Sequence, residues 1–92
     1  DTDGNLYVAE AVGNRIRKIT PTGVVTTFAG STTAVSGYVD ATGTAARFNG
    51  VSSLTIDAQN NLYVSDNGNS RIRKITPAGV VTTLGTFSGG SA

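Results

Sequence analysis

Ninety-two residues suffice for one small unit, near the lower limit at which a core supports itself. There is no cysteine and no histidine, which excludes a disulfide frame, Ser/His or Cys/His catalysis, and the usual zinc, copper, haem and iron–sulfur ligands. Seven Lys and Arg against six Asp and Glu leave a net charge of +1, so nothing pulls the whole chain toward nucleic acid or anionic lipid.

The first element is "DTDGN", residues 1–5, whose two acids and glycine suit the closing of a hairpin between two strands. "NLYV" then predicts a strand, and "NRIRKITPTGVVTT", residues 14–27, predicts two more around a Thr-Pro-Thr-Gly turn. Next comes "GYVDATGTAARFNG", Gly37–Gly50. Its "TGTAARF" suits a single helical turn capped by Thr42 or Thr44, with Ala45, Ala46 and Phe48 free to pack. "SLTID" (Ser53–Asp57), "NLYV" (Asn61–Val64), "RIRKIT" (Arg71–Thr76) and "GVVTTL" (Gly79–Leu84) predict four further strands. Their links, Asp66–Ser70 and Thr76–Gly79, are short enough to make consecutive strands antiparallel neighbours. Residues 51–85 therefore read as a four-stranded meander.

The second half repeats the first. At an offset of 56 residues, segments 5–27 and 61–83 are identical at 16 of 23 positions, which is duplication. Large apolar residues occupy both parities of the strands, as in Leu62, Tyr63 and Val64, so both sheet faces are expected to be covered. Tandem four-stranded antiparallel sheets covered on both faces are blades of a β-propeller, an all-β fold; a stacked sandwich or an open solenoid is the alternative.

Three segments follow: a first blade at 1–36 without its innermost strand, a linker at 37–50, and a complete second blade at 51–92 with a C-terminal tail. Seven strands result. Asp1 aligns with Asp57, the end of a first strand, so the chain reads as an excised or processed window on a longer propeller. Three such chains would supply 21 strands where six full blades need 24. Exposed blade faces and edges then predict association, with the remaining blades of the same protein or with copies of itself.

Six of the seven cations fall in the two RIRK stretches. Strand alternation sends Arg15, Arg17 and Ile19 to one face and Ile16 and Lys18 to the other, so the cations do not converge on one groove. Glu10 and Asp66 each precede an arginine by five residues across a tight turn, which predicts two corner pairs, Glu10 with Arg15 and Asp66 with Arg71. Arg17, Lys18, Arg73 and Lys74 are the candidates for a basic partner surface. Nucleic acid is disfavoured because only Tyr7, Tyr38 and Tyr63 offer stacking rings and two of them lie inside strands.

Calcium has weak support, since "DTDGN" holds two acids and "DAQNN" one, short of a calcium loop. No Walker-type phosphate loop occurs: "GTFSGG" at Gly85–Gly90 has no lysine. No catalytic residue, metal ligand or cofactor is assigned, the chain is read as not an enzyme, and its ligand residues are unknown. No apolar run is long enough to span a membrane, and the chain opens on Asp1 without a signal-like segment.

These residues resemble NHL repeats, the units of six-bladed propellers whose pattern runs G-N-L-Y-V-A-D … N-R-I-R-K-I-T-P-x-G. The matches are Gly4-Asn5-Leu6-Tyr7-Val8-Ala9-Glu10 with Asn14–Ile19, and Asn61-Leu62-Tyr63-Val64-Ser65-Asp66 with Arg71–Ile75. "DATGTAARFNG" is similar to the inter-blade linker of secreted bacterial members. Glu10 stands where Asp is usual, Asn60 where Gly is usual, and the tail 85–92 departs from residues 29–36.

The resemblance implies a scaffold that presents loops such as Ser65–Ser70 and Ser31–Thr44 to a protein or glycan, outside a bacterial cell or on its surface. The alternatives it leaves are a self-assembling fragment, part of an axial-site lyase or lactonase propeller, and an RNA-binding NHL domain.

Overall fold

The structure is a computed structural model, and it describes residues 1–86. Two antiparallel sheets form it. Strands β1 (Leu6–Glu10), β2 (Arg15–Ile19) and β3 (Val25–Gly30) make the first in simple meander order. Strands β4 (Val51–Ile56), β5 (Leu62–Asp66), β6 (Arg71–Ile75) and β7 (Val81–Thr86) make the second, again in meander order. Single 3₁₀ turns occupy Gly43–Ala45 and Asn67–Asn69. The expected departure of the tail lies, from residue 87 onward, outside the described residues, as does most of "GTFSGG".

The duplication holds down to register. Leu6 faces Ile19 and Glu10 faces Arg15 in the first sheet; Leu62 faces Ile75 and Asp66 faces Arg71 in the second. A bulge interrupts the pairing between Ile16 and Arg17 and, 56 residues later, between Ile72 and Arg73. Each bulge adds one residue to the outer strand and sharpens its twist.

Backbone conformation repeats as well. Gly4 has φ of +84° and its counterpart Asn60 +67°, so the substitution at this position is one that the left-handed region tolerates.

The turns before β1 and β5 are each tied by one carboxylate. Asp57 Oδ1 accepts the backbone N–H of Gln59 and of Asn61, both at 2.9 Å, and its Oδ2 accepts Asn61 Nδ2 at 3.1 Å and the Tyr63 hydroxyl at 2.8 Å. Asp1 does the same for Asp3, Asn5 and Tyr7. These are aspartate-closed turns extended by a tyrosine from the following strand.

The sheets pack face to face, with the linker wedged beside them. Ile16 and Ala29 from the first sheet, Ala46 and Phe48 from the linker, and Val51, Leu62, Val64, Ile75 and Val81 from the second make one buried cluster. Thr42 flanks the first 3₁₀ turn, yet no side chain caps that turn, and Ala45 points outward. The expected threonine cap is therefore absent at Thr42: this single turn is held instead by Gly43 N–H donating to Gly79 O at 2.8 Å.

Among the described residues only one face of each sheet is covered. The second sheet buries Leu62, Val64 and Asp66 on the side toward the first sheet and leaves Tyr63 and Ser65 half-exposed behind. In the first sheet the sides are reversed: Ile16 is buried on the back, while Leu6, Val8 and Val25 on the front meet solvent.

Candidate binding surface

The corner of the second sheet is built around Arg73. Its strand position places the guanidinium on the covered face, opposite Val64, where linker residues 38–48 lie against β6 and β7. Nη1 donates to Asp66 Oδ2 at 2.7 Å and to Arg47 O at 3.0 Å; Nη2 donates to Val39 O at 2.8 Å and to Asp40 Oδ1 at 2.9 Å. The guanidinium also lies 4.9 Å from the ring centres of Tyr38 and Phe48. Arg73 and Asp66 are both fully buried, so the pair is stable only because nearly every polar atom of it is matched. Nε of Arg73 is the exception, without a hydrogen-bond partner among the described residues.

Two sequence expectations are corrected here. Asp66 pairs with Arg73, not with Arg71, although Asp66 and Arg71 are cross-strand partners. Asp66 is short and committed to other donors: Oδ1 accepts Asn49 N–H at 2.7 Å and Oδ2 accepts Asn69 Nδ2 at 2.8 Å, which turns the carboxylate inward. Arg71 instead donates to Asn69 O and Ser70 O and lies over the Tyr38 ring at 5.5 Å. Arg73 is likewise no basic partner surface, because none of its side chain reaches solvent.

In the first sheet the longer Glu10 behaves differently. Glu10 Oε1 accepts Arg15 Nε–H at 2.6 Å and stands 3.5 Å from Arg17 Nε. Arg17 then donates through Nη1 to Thr27 Oγ1 at 2.8 Å. In the second sheet the equivalent Thr83 does not meet its arginine directly. Asp40 stands between them, accepting from Arg73 and from the Thr83 N–H and hydroxyl. Lys18 lies on the other face, 6.0 Å from the Phe28 ring, and Lys74, its counterpart, faces outward behind the second sheet.

A second feature lies where the turns after β1 and β5 meet the linker ends. Asn14 Nδ2 donates to Ala34 O, and Asn14 Oδ1 accepts Gly50 N–H at 2.9 Å. Gly68 N–H donates to Asn49 O, and Asn69 Nδ2 donates to Gly37 O. The side chains of Asn14 and Asn69, with the backbone carbonyl of Asn49, thus tie four loops into one rim, with Val12 and Val35 projecting from it at 93% and 53% exposure. Of the loops expected to be presented, residues 31–36 and 67–70 belong to this rim. Residues 38–44 do not, since they pack on the second sheet.

The sequence reading missed the Asp40–Arg73 pair and the tyrosine-extended turns. The turn signal was visible, since an aspartate precedes a tyrosine by six residues in both copies. These turns also set the clearest titration shifts. The N–H of Asn61, with smaller help from Tyr63 and the other turn donors, holds the Asp57 carboxyl below the usual carboxylate range. Its bond to Asp57 raises the Tyr63 hydroxyl above the ordinary phenol, and burial does the same for Tyr7.

Among the described residues no three acids gather into a cation site, and no helix is long and apolar enough to cross a membrane.

Comparisons with known proteins agree with this architecture. No curated protein matches the chain. Among solved structures, a Bacteroides thetaiotaomicron protein of unknown function is 28% identical with a TM-score of 0.78, over 89% of this chain and 21% of that one. An auxiliary nutrient binding protein from the same species is 20% identical with a TM-score of 0.76, over 90% and 24%. Another from Bacteroides ovatus is 24% identical with a TM-score of 0.75, over 89% and 23%. The last two show the fold alone, and the chain spans about a fifth to a quarter of the length of each of these neighbours. The family described as the Teneurin NHL domain matches residues 1–76, from the first turn through β6. The chain belongs to that family, as a run of NHL repeats folded into propeller-type blades.

Proposed function

We propose that the chain is a non-catalytic scaffold whose cross-linked rim of loops binds a protein or glycan, outside a bacterial cell or on its surface. The observation that carries this is the rim itself: Asn14, Asn49 and Asn69 fix four loops to one another while Val12 and Val35 stay open to solvent. Loops held this way lose little freedom on binding, so more of each contact appears as affinity. The auxiliary nutrient binding neighbours support a binding role for the fold.

A glycan array tests it, with the double variant Val12→Asp and Val35→Asp as control. Retention of a defined glycan class by the parent chain and its loss in the variant supports the reading. Retention equal in both, or none at all, counts against a glycan-binding rim.

One observation favours a second reading, head-to-tail self-association. Leu6 is 64% exposed where its repeat counterpart Leu62 is 1% exposed, so the front of the first sheet has the apolar make-up of a covered face. Sedimentation across a concentration series decides this; a persistent monomer at every concentration sinks it.

A further inference from the structure

The two fronts differ in one component, the linker. On the second sheet, linker residues 38–47 supply Asp40 to Arg73 and Thr83, two carbonyls to Arg73, and a short edge pairing in which Val81 N–H donates to Ala41 O and Gly43 N–H to Gly79 O. On the first sheet the same positions hold Arg17, Thr27, Val25 and Gly23, and among the described residues β3 is an edge strand paired with β2 alone. No carboxylate separates Arg17 from Thr27, and the two touch directly. Arg17 keeps 30% of its side chain in solvent, against none for Arg73.

We infer that the front of the first sheet is a receptor for a peptide of linker type, an extended segment carrying an aromatic residue and an aspartate two positions apart, as Tyr38 and Asp40 are. The aspartate inserts between Arg17 and Thr27. Backbone carbonyls of the peptide take the remaining guanidinium N–H groups, and its backbone pairs with the edge from Gly23 to Val25, where β3 begins. The aromatic ring covers Arg17 as Tyr38 covers Arg73. This is strand-edge addition with a charged anchor, which gives affinity through main-chain bonds and specificity through the carboxylate. It concerns the sheet front and is independent of the loop rim.

The test uses the intact 92-residue chain and a capped synthetic peptide of sequence GYVDATGTAARFNG, followed by amide chemical shifts. Saturable binding is expected, with shifts at Leu6, Val8, Arg17 and Val25 and none at Tyr63 or Ile72. Arg17→Ala in the chain is expected to weaken binding about tenfold or more, as loss of charge-assisted hydrogen bonds implies. The peptide carrying Asp→Asn at its fourth position is expected to weaken it similarly. Arg17 is partly exposed, so its variant keeps the fold, and the amide spectrum of the free variant verifies that. Absence of saturable binding overturns the inference, as do shifts confined to the back of the second sheet or equal affinity in the Arg17→Ala chain.

Discussion

Arg73 and Arg17 occupy the same place in two repeats 56 residues apart, yet Arg73 is sealed against Asp66 while Arg17 stays partly in water beside Glu10. Burial decides what each is worth. Removing Arg73 leaves the Asp66 carboxylate buried with an uncompensated charge, a loss of about 3–5 kcal/mol. Removing Arg17 breaks a screened surface contact, worth at most about 1 kcal/mol. Urea unfolding of Arg73→Ala and Arg17→Ala measures both. Because a chain this small has a narrow margin, Arg73→Ala is expected to be largely unfolded at 25 °C. Equal midpoints for the two variants would contradict the assignment.

Acid sensitivity should trace to the turn carboxylate. Turn hydrogen bonds lower the Asp57 pKa in the folded chain, with the Asn61 N–H the largest cause. A lowered carboxylate pKa means that its stabilisation is fully present above the unfolded value, near 3.9, and fades as pH falls through the folded one. Melting temperature followed from pH 6 to pH 2 should therefore drop less steeply in Asp57→Asn than in the parent. Tyr63 gives the opposite limb. Its raised pKa means stabilisation present below about pH 10 and lost above it, so Tyr63→Phe should flatten the alkaline decline.

How much of this was legible in the sequence depends on range. The repeat, the seven strands and their antiparallel order followed from local pattern, because "NLYV", "RIRKI" and their turns are short-range signals read twice. The split of RIRK over two faces followed from strand parity, and Glu10 meets Arg15 across its turn. Asp66 and Arg71 looked like the same case. What separates them is the linker: Asn49 comes in from 17 residues away and Asp40 from 33 residues before Arg73, and the two together draw Asp66 and Arg73 inward. Such placement depends on how the linker packs, and no periodicity in the chain encodes it. The one-methylene difference between Glu10 and Asp66 was visible as a departure from the repeat pattern. Its consequence needed the buried geometry.

Close backbone approach makes two glycines intolerant. A Cβ on Gly68 would meet the Asn49 carbonyl oxygen at 2.5 Å, where Gly68 N–H already donates to that oxygen. A Cβ on Gly30 would lie 2.6 Å from Asn14 O, at a φ of +94°. Both clashes are with backbone at the rim, which cannot yield without breaking the Asn14 and Asn49 ties. Gly68→Ala and Gly30→Ala are each expected to cost about 1–3 kcal/mol by strain and overpacking. Gly23→Ala, with open space around it, should cost only about 1 kcal/mol for its positive φ. Denaturant midpoints of the three variants give the comparison, and a Gly23 loss equal to the Gly68 loss would deny the rim its close packing.

The leucines give the sharpest contrast between the two fronts. Leu62 is 1% exposed and packs with Val64, Ile75 and Val81 in the shared core, so Leu62→Ala should cost about 2–5 kcal/mol through lost transfer and a residual cavity. Leu6, at 64% exposure, has little to lose in a lone chain, and Leu6→Ala should stay within about 0.5 kcal/mol. Concentration separates the readings of its front. If another copy covers Leu6, apparent stability rises with protein concentration by mass action, and the penalty of Leu6→Ala rises with it. Melting curves over a hundredfold concentration range should show that rise in the parent and a shallower one in Leu6→Ala. Concentration-independent curves for both would leave the first sheet's front to a linker-type peptide rather than to a second copy.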